Sequence, residues 1–492
     1  MNIGKLTLSG CGAWRRFCMV SLFCAIAGVA SHAQSFKTIF GFDHTNGSDP
    51  TAPAQGFDGR LYGTTQYGGA NDWGTAYRTT ISGNLVTTST FCENCADGGA
   101  PGALALGQNG SFYGGTISGG SLGYGTIIRV TGAGTVSTLY DFGQPYGPIF
   151  MSSGLVQVAN GNFYATSPYG GTNCVNTAGC GTVFKMTPSG SVTTVYNFCT
   201  LPSGSNCLDG SSPASLILGA NGNLYGTTAD GGAFSGGTVF EITQAGALTT
   251  LYSFCSQTNC PDGSDPLALI QGADGSLYGV TYFGGEGSNT IGDSNGTVFK
   301  LPPQGALTTL HSFCSQTNCT DGSGPSTLMQ ASDGNLYGTT YYGGNPKCVL
   351  GGCGSIFELT PAGELTTLHN FVSKTDGFIA TGLMQHTNGN FYGTTWEGGN
   401  TTDGTIFALS TGLGPFVKLV RTMGIVGQSG GILGQGLTGT TSVSINGTPA
   451  NFTVVSDTYI QATVPAGATS GYVTVDTPSG TLTSNTVFHV IP

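Results

Sequence analysis

The sequence predicts an all-β chain: a seven-bladed β-propeller followed by a small immunoglobulin-like β-sandwich. Three observations predict it. A strand-rich segment of about 50–60 residues recurs seven times, a period typical of propeller blades. The composition joins 85 glycines in 492 residues and 38% hydrophobic residues to only 8% charged ones. That balance suits short buried strands linked by tight turns, and it excludes a disordered chain. After Ser410 the period stops, and short alternating strands continue to the C-terminus.

The repeat is anchored on Tyr62, Tyr113, Tyr164, Tyr225, Tyr278, Tyr337 and Tyr392. An Asx-Gly pair precedes each: Asp58-Gly59, Asn109-Gly110, Asn160-Gly161, Asn221-Gly222, Asp274-Gly275, Asp333-Gly334 and Asn388-Gly389. Asx and Gly are the residues that best tolerate positive φ, so a type I′ hairpin turn is expected at all seven. A Gly-Gly pair follows each Tyr strand, as at Gly68-Gly69 and Gly284-Gly285. Next comes a strand like Thr182-Val183-Phe184-Lys185, and then a run like Leu248–Ser253 closing on Phe254. Four short antiparallel strands per unit describe a blade.

The phase of the repeat bears on closure. The fourth strand ends at Phe42, Phe91, Phe142, Phe198, Phe254, Phe313 and Phe371, and the first of these precedes any Tyr strand. The final Gly404-Thr405-Ile406-Phe407 strand has no clear successor. Either Phe36–Phe42 or Phe416–Val420 can supply the missing strand, and the first would leave no exposed edge. The domain boundaries expected are 1–33 for a signal peptide, 34–411 for the propeller and 412–492 for the sandwich. Segments such as Ser442-Val443-Ser444-Ile445 and Tyr472-Val473-Thr474-Val475, punctuated by Asn446-Gly447 and Pro478-Ser479-Gly480, carry the last.

Residues 1–33 read as a secretory signal: a basic start ending at Arg15-Arg16, an apolar run from Phe17 to Ala30, and Ser31-His32-Ala33 before cleavage at Gln34. No membrane span is expected after cleavage. The net charge of −11 offers no basic patch for phosphates, so nucleic acid is not an expected partner. The twelve cysteines after the signal fall into close pairs: Cys92/Cys95, Cys174/Cys180, Cys199/Cys207, Cys255/Cys260, Cys314/Cys319 and Cys348/Cys353. Local pairing in an exported chain reads as disulfides that pin loops. A metal site would need two such pairs to converge, so no metal is expected.

These motifs resemble the GloVer (Gloeo-Verruco) tandem repeat of exported bacterial proteins. The resemblance rests on Asp274-Gly275-Ser276-Leu277-Tyr278-Gly279, Gly284-Gly285, Gly296-Thr297-Val298-Phe299-Lys300 and Leu307-Thr308-Thr309-Leu310, and covers about residues 36–410. The C-terminal part resembles an IPT/TIG domain through Gly434-Gln435-Gly436-Leu437, Val443-Ser444-Ile445-Asn446-Gly447, Val464-Pro465-Ala466-Gly467 and Gly471-Tyr472-Val473-Thr474-Val475. The resemblance implies an extracellular location, by release rather than anchoring, and brings no catalytic residue with it.

Most motif residues are expected to be structural. Tyr and Phe should pack between blades. Asp209, Asp262 and Asp321 should form Asx-turn bonds ahead of Pro213, Pro266 and Pro325. His311 and His369 stand where sister copies have Tyr140, Tyr196 and Tyr252. No catalytic motif, phosphate loop or cofactor signature is present. The residue before each Gly-Gly varies, as a ligand-facing position on a rigid scaffold would. Tyr67, Tyr169, Phe283 and Tyr342 could stack on sugars or peptide, with Asp230 and Glu397 as acceptors. The function expected is therefore that of a secreted binding or adhesion protein whose rim recognises a glycan or a surface protein. The alternatives are a polysaccharide hydrolase or lyase using paired carboxylates such as Asp230 and Glu397, and a structural surface or matrix protein.

Overall fold

Short runs of β-branched and aromatic residues bounded by glycine turns form antiparallel sheets throughout. The structure is a computed structural model that describes residues 34–92, 95–143, 154–172, 179–203, 206–287, 295–348 and 352–491. The expected signal segment and Cys174 lie outside these. Among the described residues the only helical element is a turn at Thr317–Cys319, and no helix is long and apolar enough to cross a membrane.

The repeats form seven consecutive sheets. In the fifth, Ser264–Gln271, Leu277–Phe283, Thr297–Leu301 and Thr308–Ser312 lie side by side in sequence order. The seventh sheet has three strands from its own repeat, Phe378–Gln385, Phe391–Glu397 and Thr405–Ser410. Its fourth is the N-terminal strand Ser35–Gly41, antiparallel to Thr405–Ser410. Of the two candidates for this place, the N-terminal one occupies it, and Lys418–Leu419 pairs instead with Ile432–Leu433.

Apolar clusters join each sheet to the next. Tyr62 and Phe91 pack with Phe112 and Ile128, and Val239 and Phe254 pack with Leu277 and Phe299. The seventh sheet meets the first through Ile406 with Phe42 and Tyr77, and through Met384 and Tyr392 with Leu61. The Phe that ends each fourth strand is buried, and its N–H bonds to the glycine opening the third, from Phe42 to Gly404 through Phe371 to Gly354.

Those glycines are dictated by the neighbouring repeat. Gly74, Gly181, Gly237, Gly296 and Gly404 all have positive φ. A Cβ there would strike a carbonyl of the adjacent strand and the proline ring of the next sheet, respectively Pro101, Pro213, Pro266, Pro325 and Pro50. Gly-Thr and Pro, more than twenty residues apart in sequence, are thus one packing unit.

The Asx-Gly hairpins differ from expectation. Only the glycine takes positive φ, for example 72° at Gly59 and 78° at Gly275, while the Asx residues do not. Gly59 N–H bonds to Gly56 O and Gly56 N–H to Arg60 O. This is an ordinary β-turn followed by a left-handed glycine, the three-residue form of hairpin. Asx is selected because its side chain accepts the N–H two residues on, as Asp58 does from Arg60 and Asn388 from Asn390.

After the repeats, two four-stranded sheets enclose one apolar core that includes Val417, Ile432, Val443, Ile460, Val475 and Phe488. One holds Ser429–Leu433 and Tyr459–Thr463, the other Ser442–Ile445 and Val473–Thr477.

Candidate functional site

Chain direction gives the repeat sheets two distinct ends. The Asx-Gly hairpins lie at one. The Gly-Gly pairs lie at the other, together with the loops that lead from each fourth strand to the next sheet.

Threonine pairs organise the Gly-Gly end. Thr65 Oγ1 accepts the N–H of Thr75 at 3.0 Å and donates to Tyr67 O at 3.0 Å. The same arrangement recurs at Thr116/Thr126, Thr228/Thr238, Thr281/Thr297 and Thr340/Ser355, fixing the carbonyls of Ser118, Asp230, Phe283 and Tyr342. In four of the pairs the second glycine donates to the preceding loop at a cysteine: Gly120 to Cys95, Gly232 to Cys207, Gly285 to Cys260 and Gly344 to Cys319. Each acceptor is the second cysteine of a disulfide, Cys92–Cys95, Cys199–Cys207, Cys255–Cys260 and Cys314–Cys319. Cys348–Cys353 closes a Gly-Gly loop itself. Among the described residues, Cys180, Cys199 and Cys207 bring their sulfurs within 4.8 Å. Cys199 and Cys207 are joined to each other, which removes the thiolates a metal would need.

The loop aspartates do more than was expected of them. Asp209 and Asp321 are fully buried and Asp262 nearly so. Instead of an Asx-turn, each reaches back to the preceding fourth strand. Asp262 accepts from Tyr252 Oη at 2.8 Å and Cys255 N–H, and Asp209 accepts from Tyr196 Oη at 2.7 Å and Thr200 N–H. His311 and His369 make the equivalent contact to Asp321 and Asp376, at 3.3 and 2.6 Å. These carboxylates are committed to structure.

A second device links the sheets. The residue two after the loop glycine is left-handed at Asp49, Ala100, Ser212, Asp265, Gly324 and Ile379. Its N–H donates to the sheet before, reaching Asp403, Trp73, Cys180, Gly236, Asn295 and Cys353 carbonyls in turn.

Five of the six candidate rim residues end second strands at the Gly-Gly end and Tyr169 lies two residues past Phe163–Ser167, each in a different sheet. Tyr67 and Tyr169 are 44% and 36% exposed, and Asp230 and Glu397 are exposed as well. Phe283 and Tyr342 are half-buried and connect through Tyr282 and Tyr341, whose rings lie 5.8 Å apart. The acid that feels Asp230 is Asp265, whose carboxyl is pushed up to about 6 by burial and then by the Asp230 charge.

A cavity of about 240 Å³ is lined by Asp49, Gln66, Tyr341, Thr381 and Trp396, with Gly102 and Ala103. These come from the first, second, sixth and seventh sheets. Gln66, Tyr341 and Trp396 sit one residue before the position singled out by its variability. Burial raises the Asp49 carboxyl, against hydrogen bonds from Trp396 and Ser48 that favour its charged form. Sequence reasoning missed this inner set because attention fell on the residue adjoining Gly-Gly. The variation Gln66, Tyr282, Tyr341, Trp396 one place earlier was the available signal.

The Asx-Gly end is occupied. Tyr459 stacks on Phe57 at 4.0 Å, and Thr458 Oγ1 donates to Phe57 O at 2.7 Å. Gln435 bonds to Thr387, and Gln428 to Ala159 O. Phe57, Ala159 and Thr387 each immediately precede an Asx-Gly pair, so the C-terminal sheets pack on that end of the repeats.

The profile of the Gloeobacter/Verrucomicrobia repeat matches residues 26–208, 175–319 and 212–452, and the chain belongs to this family of repeat proteins. No curated protein matches the chain. Among solved structures, it is similar to a fungal alcohol oxidase of the AA5 family in complex with copper, at 13% identity and a TM-score of 0.47, covering 93% of this chain and 99% of that one. It is also similar to the extracellular domain of a protein assigned as a one-component system from B. thetaiotaomicron, at 11% identity and a TM-score of 0.49 over 94% of this chain. A third likeness is to the extracellular domain of a protein from the same organism assigned as a hybrid two-component system, at 12% identity and a TM-score of 0.47 over 91% of this chain. The chain spans 58% and 53% of those two.

Proposed function

We propose that this chain is an exported binding protein: a signal peptide over 1–33, a seven-bladed propeller over 34–411 and an IPT/TIG-type immunoglobulin-like domain over 412–492. The Gly-Gly end of the propeller recognises an extracellular glycan or protein. The propeller reading is supported by the N-terminal strand completing the seventh sheet and by the apolar contacts of that sheet with the first. Export is supported by the disulfides, which persist in oxidising compartments. One observation carries the binding role. The C-terminal sheets cover the Asx-Gly end, while the variable aromatics and acids gather at the opposite end on loops held by disulfides and threonine pairs. Rigid, pre-ordered loops lower the entropic cost of binding.

The test is an array of glycans and exported proteins probed with oxidised residues 34–492, each hit then assayed for turnover. Saturable capture without turnover is expected. A blank across both arrays contradicts the binding role and favours a structural one.

A second reading is favoured by a specific observation. Asp265, held up beside Asp230, has the character of a general acid next to a charged partner. A hydrolase or lyase built on that pair predicts turnover of a captured glycan, abolished in Asp265→Asn.

A further inference from the structure

The rim candidates are spread over six sheets, whereas the 240 Å³ cavity draws its walls from the first, second, sixth and seventh sheets, where the two ends of the repeat array meet. We propose that this cavity is the primary subsite of the binding face and that it takes a single amine-bearing sugar ring, such as a glucosamine unit of a polymer. The inference rests on the Gly-Gly end being the binding face, and it adds the chemical class of the ligand.

Size sets the first limit. Drug-sized ligands occupy pockets of about 300 Å³ and more, so this one admits one ring rather than a chain. The walls set the second. Trp396, 38% exposed, and Tyr341 bring aromatic rings to the wall and Gln66 a polar side chain, while the Thr381 hydroxyl is held by Pro50 O at 2.9 Å. A pyranose has that same division between an apolar face and hydrogen-bonding edges. The thin stem of a lysine would leave both rings uncovered.

Charge sets the third. Asp49 brings a carboxylate to the wall, held by the Trp396 and Ser48 side chains and fixed through its own N–H to Asp403 O at 3.2 Å. Its charged neighbours are Asp403, which opposes its ionisation, and His44, which favours it. Arg78 bonds to Gly132 O and Lys300 to Asp274, both in turns at the Asx-Gly end, far from this wall. An ammonium on the ligand would meet Asp49 directly and lie near the Trp396 ring, an arrangement worth more where water is partly excluded. A uronate or phosphate would be repelled.

The experiment titrates oxidised residues 34–492 with the glucosamine disaccharide, its N-acetylated form, cellobiose and dilysine, following tryptophan fluorescence and heat. The glucosamine disaccharide should saturate, and the N-acetylated form and cellobiose should bind at least 10-fold more weakly. Trp396→Ala and Asp49→Asn should each weaken it at least 10-fold at an unchanged urea midpoint; Asn also tolerates the left-handed backbone there. Equal binding of the neutral sugars, tighter binding of dilysine, an inert Asp49→Asn or no binding of the disaccharide each overturns the proposal. The two readings fail separately: if an array ligand is lost on Tyr67→Ala/Tyr169→Ala/Tyr342→Ala yet keeps its affinity in Trp396→Ala, the rim binds, the broader reading stands and this cavity proposal is overturned.

Discussion

A tyrosine, a loop aspartate and a backbone N–H form the recurring polar knot of this molecule. At Asp262 one carboxylate satisfies the Tyr252 hydroxyl and the Cys255 N–H in a buried loop. Removing it strands those donors, so Asp262→Ala should cost about 1–3 kcal/mol, read as a lower urea midpoint, and Tyr252→Phe should cost less. Burial also raises the Tyr252 hydroxyl, which keeps it protonated as a donor. The knot explains why His311 and His369 replace tyrosine without loss: an imidazole N–H reaches the same carboxylate. From sequence the shared slot was visible but its partner was not, because the aspartate lies in a loop of variable length. His386 is a different case. It is fully buried, donates through Nε2 to Gly59 O at 3.0 Å and accepts Asn388 N–H at Nδ1, so it is neutral. Burial is the main cause that lowers its pKa below 6.5. The unfolded chain therefore takes up a proton first as pH falls. The stability due to this site is complete above pH 6.5 and is lost as pH drops toward the folded value. His386→Val, the residue that Val158 places in the same slot, should flatten stability against pH below 6.5, with His489, also lowered by burial, leaving a residual slope.

At the scale of the element, period-two alternation and turn residues made the strands legible, and seven copies fixed their order. The turn type was not legible. Asx-Gly is compatible with two hairpin geometries that differ by one residue, and the choice depends on whether Asx uses its backbone or its side chain. The glycine opening each third strand was read with that strand, yet its constraint comes from the next sheet's proline. Gly237→Ala tests this. Positive φ alone costs a non-glycine residue roughly 1–3 kcal/mol, and the contact with Pro266 adds to it. Gly275→Ala, with only Pro303 near, should cost less in the same urea titration. The disulfides close loops of few residues, so opening Cys255–Cys260 should lower global stability modestly. Its stronger effect should be faster hydrogen exchange at Gly285, whose N–H bonds to the Cys260 carbonyl.

Across the whole molecule, the N-terminal strand joins the two ends of the repeat array. Removing residues 34–43 would bare the edge of Thr405–Ser410 and the apolar side chains of Phe36, Phe40 and Phe42 would no longer cover it. Each such ring contributes roughly 1.5–3 kcal/mol when buried. The shortened chain should unfold several kcal/mol more easily and associate through the open edge, seen as a concentration-dependent sedimentation coefficient. The repeat phase left two candidates for this strand, since both Phe36–Phe42 and Phe416–Val420 are apolar. The packing of the C-terminal sheets on the Asx-Gly end could not be read at all, because Phe57, Ala159 and Thr387 follow no motif. That packing leaves the opposite face as the one proposed for recognition. The most direct measurement is therefore the affinity of the best array ligand for oxidised residues 34–492 before and after Tyr67→Ala/Tyr169→Ala/Tyr342→Ala. A loss of at least 10-fold with an unchanged urea midpoint is the outcome this account predicts; unchanged affinity would contradict it.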